Sequence, residues 1–178
     1  KMILIATGAW FRTLDLPGVE RWHGAGIYYG AAHTEAANYK DQDIIVIGGG
    51  NASAQGLLFL SKFARKVTVL IRGAAPDWSK YLDRSIRANE KIELLTNTQL
   101  AEIMGEEKMR AVVVIDTKTG VSQTLPAAAV FVYIGQQPQS DFVSDLVLRS
   151  YSGHILTGLD LVIDGKSPQG WPLARDPL

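Results

Sequence analysis

Asp43-Ile44-Ile45-Val46-Ile47-Gly48-Gly49-Gly50-Asn51-Ala52-Ser53-Ala54 is the stretch around which the remainder of this chain arranges itself. It reads as a buried strand, a glycine turn and the start of a helix. Gly48 permits a tight turn, and Gly50 lets the backbone approach a pyrophosphate. Ser53, at the third small position of a dinucleotide fingerprint, keeps the helix close to the strand. The N-terminus of that helix offers unpaired N–H groups and a partial positive charge to phosphates. Glycine turns are common, so the flanks decide. Five residues of strand precede the turn, and Leu57, Leu60 and Ala64 follow at helical spacing. Lys66-Val67-Thr68-Val69-Leu70-Ile71 then reads as a second strand, completing a strand–helix–strand unit.

Working forward from there, Arg72 to Asp77 reads as a loop and Ser79 to Asn89 as a helix. Leu82 or Tyr81, with Ile86 and Trp78, would form its buried face. Ile92-Glu93-Leu94-Leu95 fits a third strand. From Gln99 the pattern changes: Leu100–Met104, Met109–Asp116 and Val121–Leu125 read as an antiparallel meander with turns at Gly105-Glu106-Glu107 and Lys118-Thr119-Gly120. Ala129 to Ile134 is a continuous apolar strand that would return to the parallel sheet. Upstream, residues 2–6 read as a strand, 18–26 as a glycine-bearing connector, Ile27-Tyr28-Tyr29 as a short strand and Ala31–Lys40 as a short helix. The tail from Gly153 reads as a loosely packed exit segment. The expected class is α/β: a Rossmann-like, three-layer dinucleotide-binding domain with a parallel sheet and an antiparallel β-meander.

Composition narrows the function. The 178 residues suffice for one good-sized core and not for two large domains. Formal net charge is zero, which points away from nucleic acid or a membrane surface as partner. No apolar run approaches the ~20 residues of a membrane span, and a cytoplasmic address is the expectation. The absence of cysteine excludes disulfides, thiol catalysis and cysteine-held metals. His23, His33 and His154 are scattered without carboxylates at metal-ligand spacing, so no metal site is expected. The chain opens without methionine inside an apparent strand, so a piece of a longer protein is expected.

The stretches Ile3–Ala9, Val46–Ser53 and Val132–Pro138, taken together, resemble the thioredoxin reductase-like pyridine nucleotide–disulphide oxidoreductases. Ile3-Leu4-Ile5-Ala6-Thr7-Gly8-Ala9 resembles the strand closing their first flavin-domain segment. Val46 to Ser53 resembles their nicotinamide-nucleotide fingerprint, and Val132-Tyr133-Ile134-Gly135-Gln136-Gln137-Pro138 the element ending their nicotinamide domain. The resemblance implies that residues 1–25 end a flavin-domain segment, 26–140 bind NADP(H), and 141–178 lead back to the flavin domain. It implies NADPH as the bound cofactor, with FAD carried only by the full-length protein. The flavin domain of the same protein and an unnamed electron acceptor would be its partners, and a homodimer is the candidate assembly.

The implied cofactor-binding residues are Gly48, Gly49, Gly50, Asn51, Ala52, Ser53, Gln55, Arg72, Ile134 and Gly135; no catalytic residue is assigned. Asn51 and Ala52 would lie under the pyrophosphate, and Gln55 would reach the carboxamide end. Ile134 and Gly135 would line the cleft at the strand's carboxyl end. An NAD site of this fold usually has an acid near the end of the second strand, where this chain has Ile71 followed by Arg72; a guanidinium there can fork onto a 2′-phosphate. The chief departure from the family lies at Ala31-Ala32-His33-Thr34, where counting back from Gly48 puts its redox Cys-x-x-Cys. Neither Ala31 nor Thr34 can attack a disulfide, so a dithiol relay is not expected. Thioredoxin reductase-like ferredoxin–NADP reductases lack the pair as well. The expected function is an NADPH-binding domain that delivers hydride to flavin. A non-catalytic NADP(H)-binding regulatory module and an NAD(P)H oxidase are its rivals.

Overall fold

The structure is a computed structural model that describes residues 4–30, 33–162, 164–169, 171–172 and 174–175. The chain divides into two compact units, Thr13–Ile134 and a second made of Lys1–Arg12 with Gly135–Leu178.

The first unit is built on a five-stranded parallel sheet. Its strands are β2 (Ile27–Tyr29), β3 (Asp43–Ile47), β4 (Lys66–Ile71), β5 (Ile92–Thr96) and β9 (Ala129–Val132), in the order β2-β9-β3-β4-β5. Between them run helices α1 (His33–Asn38), α2 (Asn51–Leu60) and α3 (Lys80–Arg87). β6 (Thr98–Gly105), β7 (Met109–Asp116) and β8 (Ser122–Pro126) form a separate antiparallel meander that carries the chain from β5 to β9.

The run Ile44-Ile45-Val46-Ile47 is apolar throughout because both faces of its strand are covered. Ile44 and Val46 pack with Val67, Val69, Ile71 and Phe131 under the helices, against Leu57, Leu60 and Ile86. Ile45, Leu70, Val130 and Val132 point the other way, onto Leu100, Met109, Val112 and Val114 of the meander. The alternation along each strand therefore sorts side chains into two cores separated by one sheet, and the three-layer arrangement follows. Asp43, entering β3, is gripped by Arg65 at the exit of the α2 turn, Nε to Oδ1 at 2.8 Å and Nη2 to Oδ2 at 2.7 Å.

Two expectations need correction. Residues 18–26 are not a bare connector: Val19–Trp22 is a 3₁₀ turn whose Val19 and Trp22 are buried in the meander-side core. An apolar pair three residues apart suits one face of such a turn. Among the described residues of 2–6, positions 4–6 form no strand, and Leu4 is 85 % exposed. An apolar run becomes a strand only where a neighbour accepts its ladder, and the pairing begins later, at β1 (Ala9–Phe11). Met2 and Ile3 lie outside the described residues.

In the second unit β1 pairs antiparallel with β10 (Gln136–Pro138), Ala9 opposite Pro138 and Phe11 opposite Gln136. Arg149 donates to Asp141 at 2.7 Å and to the buried Ser140 hydroxyl at 3.0 Å, fastening the segment that follows.

Candidate nucleotide-binding site

β3 and β9 lie side by side: from β3 the chain steps outward to β4 and β5, and after the meander it returns to β9 on the opposite side of β3, between β3 and β2. In sheets of this kind ligands bind outside the strands' carboxyl ends at such a switch point. The glycine turn stands there. Gly48 adopts φ 138°, and a side chain on it would run into the carbonyl oxygen of Tyr133 just past β9. The turn thus depends on glycine twice, for its dihedral and for the close approach of a second strand end. Gly49 spends its carbonyl on the Asp77 N–H at 2.7 Å. At Gly50 nothing lies within 4 Å of where a Cβ would stand.

The ladder of α2 begins with Ala54 N–H to Gly50 O at 3.1 Å. The N–H groups of Asn51, Ala52 and Ser53 precede it and have no intrahelical acceptor. Open backbone at Gly50 beside these donors fits a diphosphate. Ser53 is fully buried and donates its hydroxyl to Gly50 O at 2.7 Å, which tightens the first turn. Asn51, Ala52 and Gln55 are exposed on the same end of the helix. The Asn51 side chain is already engaged: its Oδ1 accepts the Ser79 N–H at 2.8 Å.

Arg72 follows the last residue of β4 directly and is exposed, with no ion pair among the described residues. Its loop is pinned by Asn97 N–H to Gly73 O at 2.8 Å and by the Asp77 and Ser79 bonds. Lys80 and Arg84 are exposed on α3. The same unit therefore brings together 48–53, the 72–79 loop and Tyr133. Ile134 belongs to this unit too, half-buried on the meander side. Gly135 belongs to the second unit, where its carbonyl accepts the Arg12 N–H at 3.1 Å.

Tyr133 and Gly56 escaped the sequence reading. The phenol of Tyr133 packs on α2 at Gly56, and burial pushes its pKa up to about 12. The signal was a glycine inside a helix, which costs stability unless something approaches closely.

Of the redox-loop positions, Ala31, Ala32 and the His33 side chain lie outside the described residues. Thr34 donates its hydroxyl to Glu35 Oε2 at 2.8 Å. Among the described residues no cluster of three metal-ligating side chains occurs and no helix is long and apolar enough to cross a membrane.

Residues 1–157 match the family model for pyridine nucleotide-disulphide oxidoreductases. A thioredoxin reductase of Mycolicibacterium smegmatis is 37% identical over 155 residues, covering 87% of this chain and 50% of that protein. A "34.2 kDa protein in rubredoxin operon" of Clostridium pasteurianum is 32% identical, covering 88% and 51%. The solved thioredoxin reductase of Lactococcus lactis superposes with a TM-score of 0.75 at 32% identity, over 84% of this chain and 50% of that one. The chain spans about half the length of the curated relatives it matches. Its glycine turn, its sheet order and these matches agree: the chain belongs to the pyridine nucleotide-disulphide oxidoreductase family and is thioredoxin reductase-like within it.

Proposed function

We propose that this chain is the NADPH-binding domain of an FAD-dependent oxidoreductase that works without a dithiol relay. The observation that carries the reading is the open glycine turn at Gly48–Gly50 together with the end of β4, where Ile71 stands in place of the acid of an NAD site and Arg72 follows it. The chemistry the cofactors supply is hydride delivery from reduced nicotinamide to flavin. The part of this chain is to bind and orient: the backbone N–H groups within Gly48–Ser53 for the diphosphate, Arg72 for the 2′-phosphate, Gln55 toward the carboxamide end. FAD is proposed to sit on a flavin domain of the full-length protein, with the electron acceptor met there. Ala31 and Thr34 in place of the cysteine pair support electron transfer from flavin straight to that acceptor.

Calorimetric titration of the chain with NADPH and with NADH tests the reading. NADPH is expected to bind more tightly, without any flavin absorbance in the purified chain. Tighter binding of NADH would overturn the cofactor assignment. The missing cysteines also suit a regulatory module that binds NADP(H) without redox chemistry. NADPH-dependent reduction of an artificial one-electron acceptor by the full-length, FAD-loaded protein would exclude that rival, and its absence would favour it.

A further inference from the structure

The loop after β4 is fastened to the glycine turn at two adjacent points. Asp77 donates its N–H to Gly49 O at 2.7 Å and forms a single parallel bridge with Gly50. Two residues on, the Ser79 N–H donates to Asn51 Oδ1 at 2.8 Å. Asn51 is the first residue of α2, and Ser79 is the cap residue of α3. One side-chain amide thus ties the start of one helix to the start of the next.

The bond fills a place that α3 leaves empty. In a capping box the N–H of the Ser or Thr cap is taken by a Glu or Gln three positions into the same helix. Here that position is Leu82, which has no acceptor and is committed to the core. Asn51 supplies the acceptor from the neighbouring helix. Two other anchors of the loop, Gly73 O to Asn97 and Gly49 O to Asp77, are backbone to backbone. Trp78 donates its indole N–H to Asp83 of α3 at 2.9 Å, which ties the loop to α3 and not to the glycine turn. Among the described residues the Asn51–Ser79 bond is therefore the side-chain hydrogen bond that ties the loop to the start of α2.

We infer that Asn51 is a positioning residue for cofactor choice, setting the spacing between the glycine turn and the Arg72 loop without reading the 2′-phosphate itself. The inference rests on the proposed reading, in which the turn takes the diphosphate and Arg72 the 2′-phosphate. A dinucleotide seated by its diphosphate brings its 2′-phosphate to a fixed place, and Arg72 must stand there. A slack loop spreads Arg72 over many positions and lowers the fraction that meets the phosphate. NADH has no 2′-phosphate to present to Arg72, so it is indifferent to the spacing.

The test is calorimetric titration of the chain and of Asn51→Ala, Ser79→Pro, the double variant and Arg72→Ala with NADPH and NADH. Ser79 has φ −62°, which proline adopts, and its own side chain makes no cap bond, so proline removes chiefly the N–H. Asn51→Ala and Ser79→Pro are each expected to weaken NADPH roughly three- to tenfold, the worth of one net hydrogen bond, and to leave NADH within about twofold. The double variant should be no worse than either single one, because both delete the same bond. Equal loss of both cofactors in Asn51→Ala would mean that Asn51 serves the diphosphate directly, and additive losses would mean two separate roles; either result overturns the inference. If Ser79→Pro does not fold, the selectivity of Asn51→Ala decides alone. A preference unchanged by Arg72→Ala would defeat the underlying reading. A preference lost in Arg72→Ala and kept in Asn51→Ala would defeat the positioning role alone.

Discussion

A Cβ built on Gly56 would stand 2.6 Å from Cζ and 2.9 Å from Cε2 of Tyr133, well inside the reach of any carbon–carbon contact. The helix can lie on the strand end only because residue 56 has no side chain. Glycine in a helix ordinarily costs ~1 kcal/mol against alanine. Here the sign should reverse. Gly56→Ala is expected to lower stability by ~1–3 kcal/mol through overpacking. In a Tyr133→Leu background the same change should become neutral or stabilising. Denaturant unfolding of the four proteins measures both, and an equal loss in the two backgrounds would show that the ring is not what Gly56 accommodates.

Arg72 is expected to carry the discrimination between cofactors. A charge-assisted bond to the 2′-phosphate is worth ~1.5–3 kcal/mol, roughly a ten- to hundredfold preference. Arg72→Ala should weaken NADPH by about that factor and leave NADH nearly unchanged. The preference should shrink as salt rises, because Arg72 is exposed. If both cofactors weaken together, Arg72 supports the loop instead of reading the phosphate.

The full-length protein, supplied with FAD and NADPH, is expected not to reduce thioredoxin through a dithiol of its own. Thr34 carries a hydroxyl already given to Glu35, and Ala31 carries no nucleophile. NADPH consumption that depends on oxidised thioredoxin and continues at a normal rate would refute this. The double change Ala31→Cys and Thr34→Cys asks whether the position still supports a disulfide.

Acid should loosen the entry of β3. The Arg65 hydrogen bonds hold the Asp43 carboxyl below its ordinary range, against an opposing push from partial burial. A carboxyl whose folded pKa is depressed contributes stability that is complete above its unfolded value of ~3.9 and is lost as pH falls through the folded one. The melting temperature of the protein should therefore exceed that of Asp43→Asn by a constant margin from pH 5 to 7. Below about pH 4 the margin should close. Arg65 is mostly exposed, so added salt should narrow it as well. A margin that persists to pH 2 would mean that the charge of Asp43 contributes nothing.

Much of the first unit could be read from its residues. The runs 43–47 and 66–71 are long, apolar and β-branched, and they are bounded by turn residues, so periodicity and punctuation agree there. The meander announced itself by its spacing, and its turns, 106–108 and 117–121, fall within a residue or so of the glycine-bearing polar stretches that mark them. What resisted reading was non-local. The Gly56–Tyr133 fit joins residues far apart in sequence, and nothing in either neighbourhood names the other. The place of Asn51 in the fingerprint says nothing of Ser79, whose N–H its side-chain oxygen accepts. Trp22 was hidden among glycines, and its burial depends on a meander formed nearly a hundred residues later. Positions 4–6 failed as a strand because an apolar run says that it can pair, and not with what.

The meander also separates β3 from one of its two neighbours in time. β4 follows β3 after a single helix, but β9 comes about eighty residues after Ile47. At ~5–20 residues per second, a ribosome needs on the order of 4–16 s to make that stretch. Throughout that interval one side of Ile44–Ile47, the most apolar segment of the sheet, has bare N–H and carbonyl groups and no partner. Such an edge pairs readily with another chain. The nascent protein thus passes through a half-sheet whose most adhesive border is its future centre. Yield in the cell should respond more sharply to changes in β9 than to equally destabilising changes in β5, which closes an outer margin.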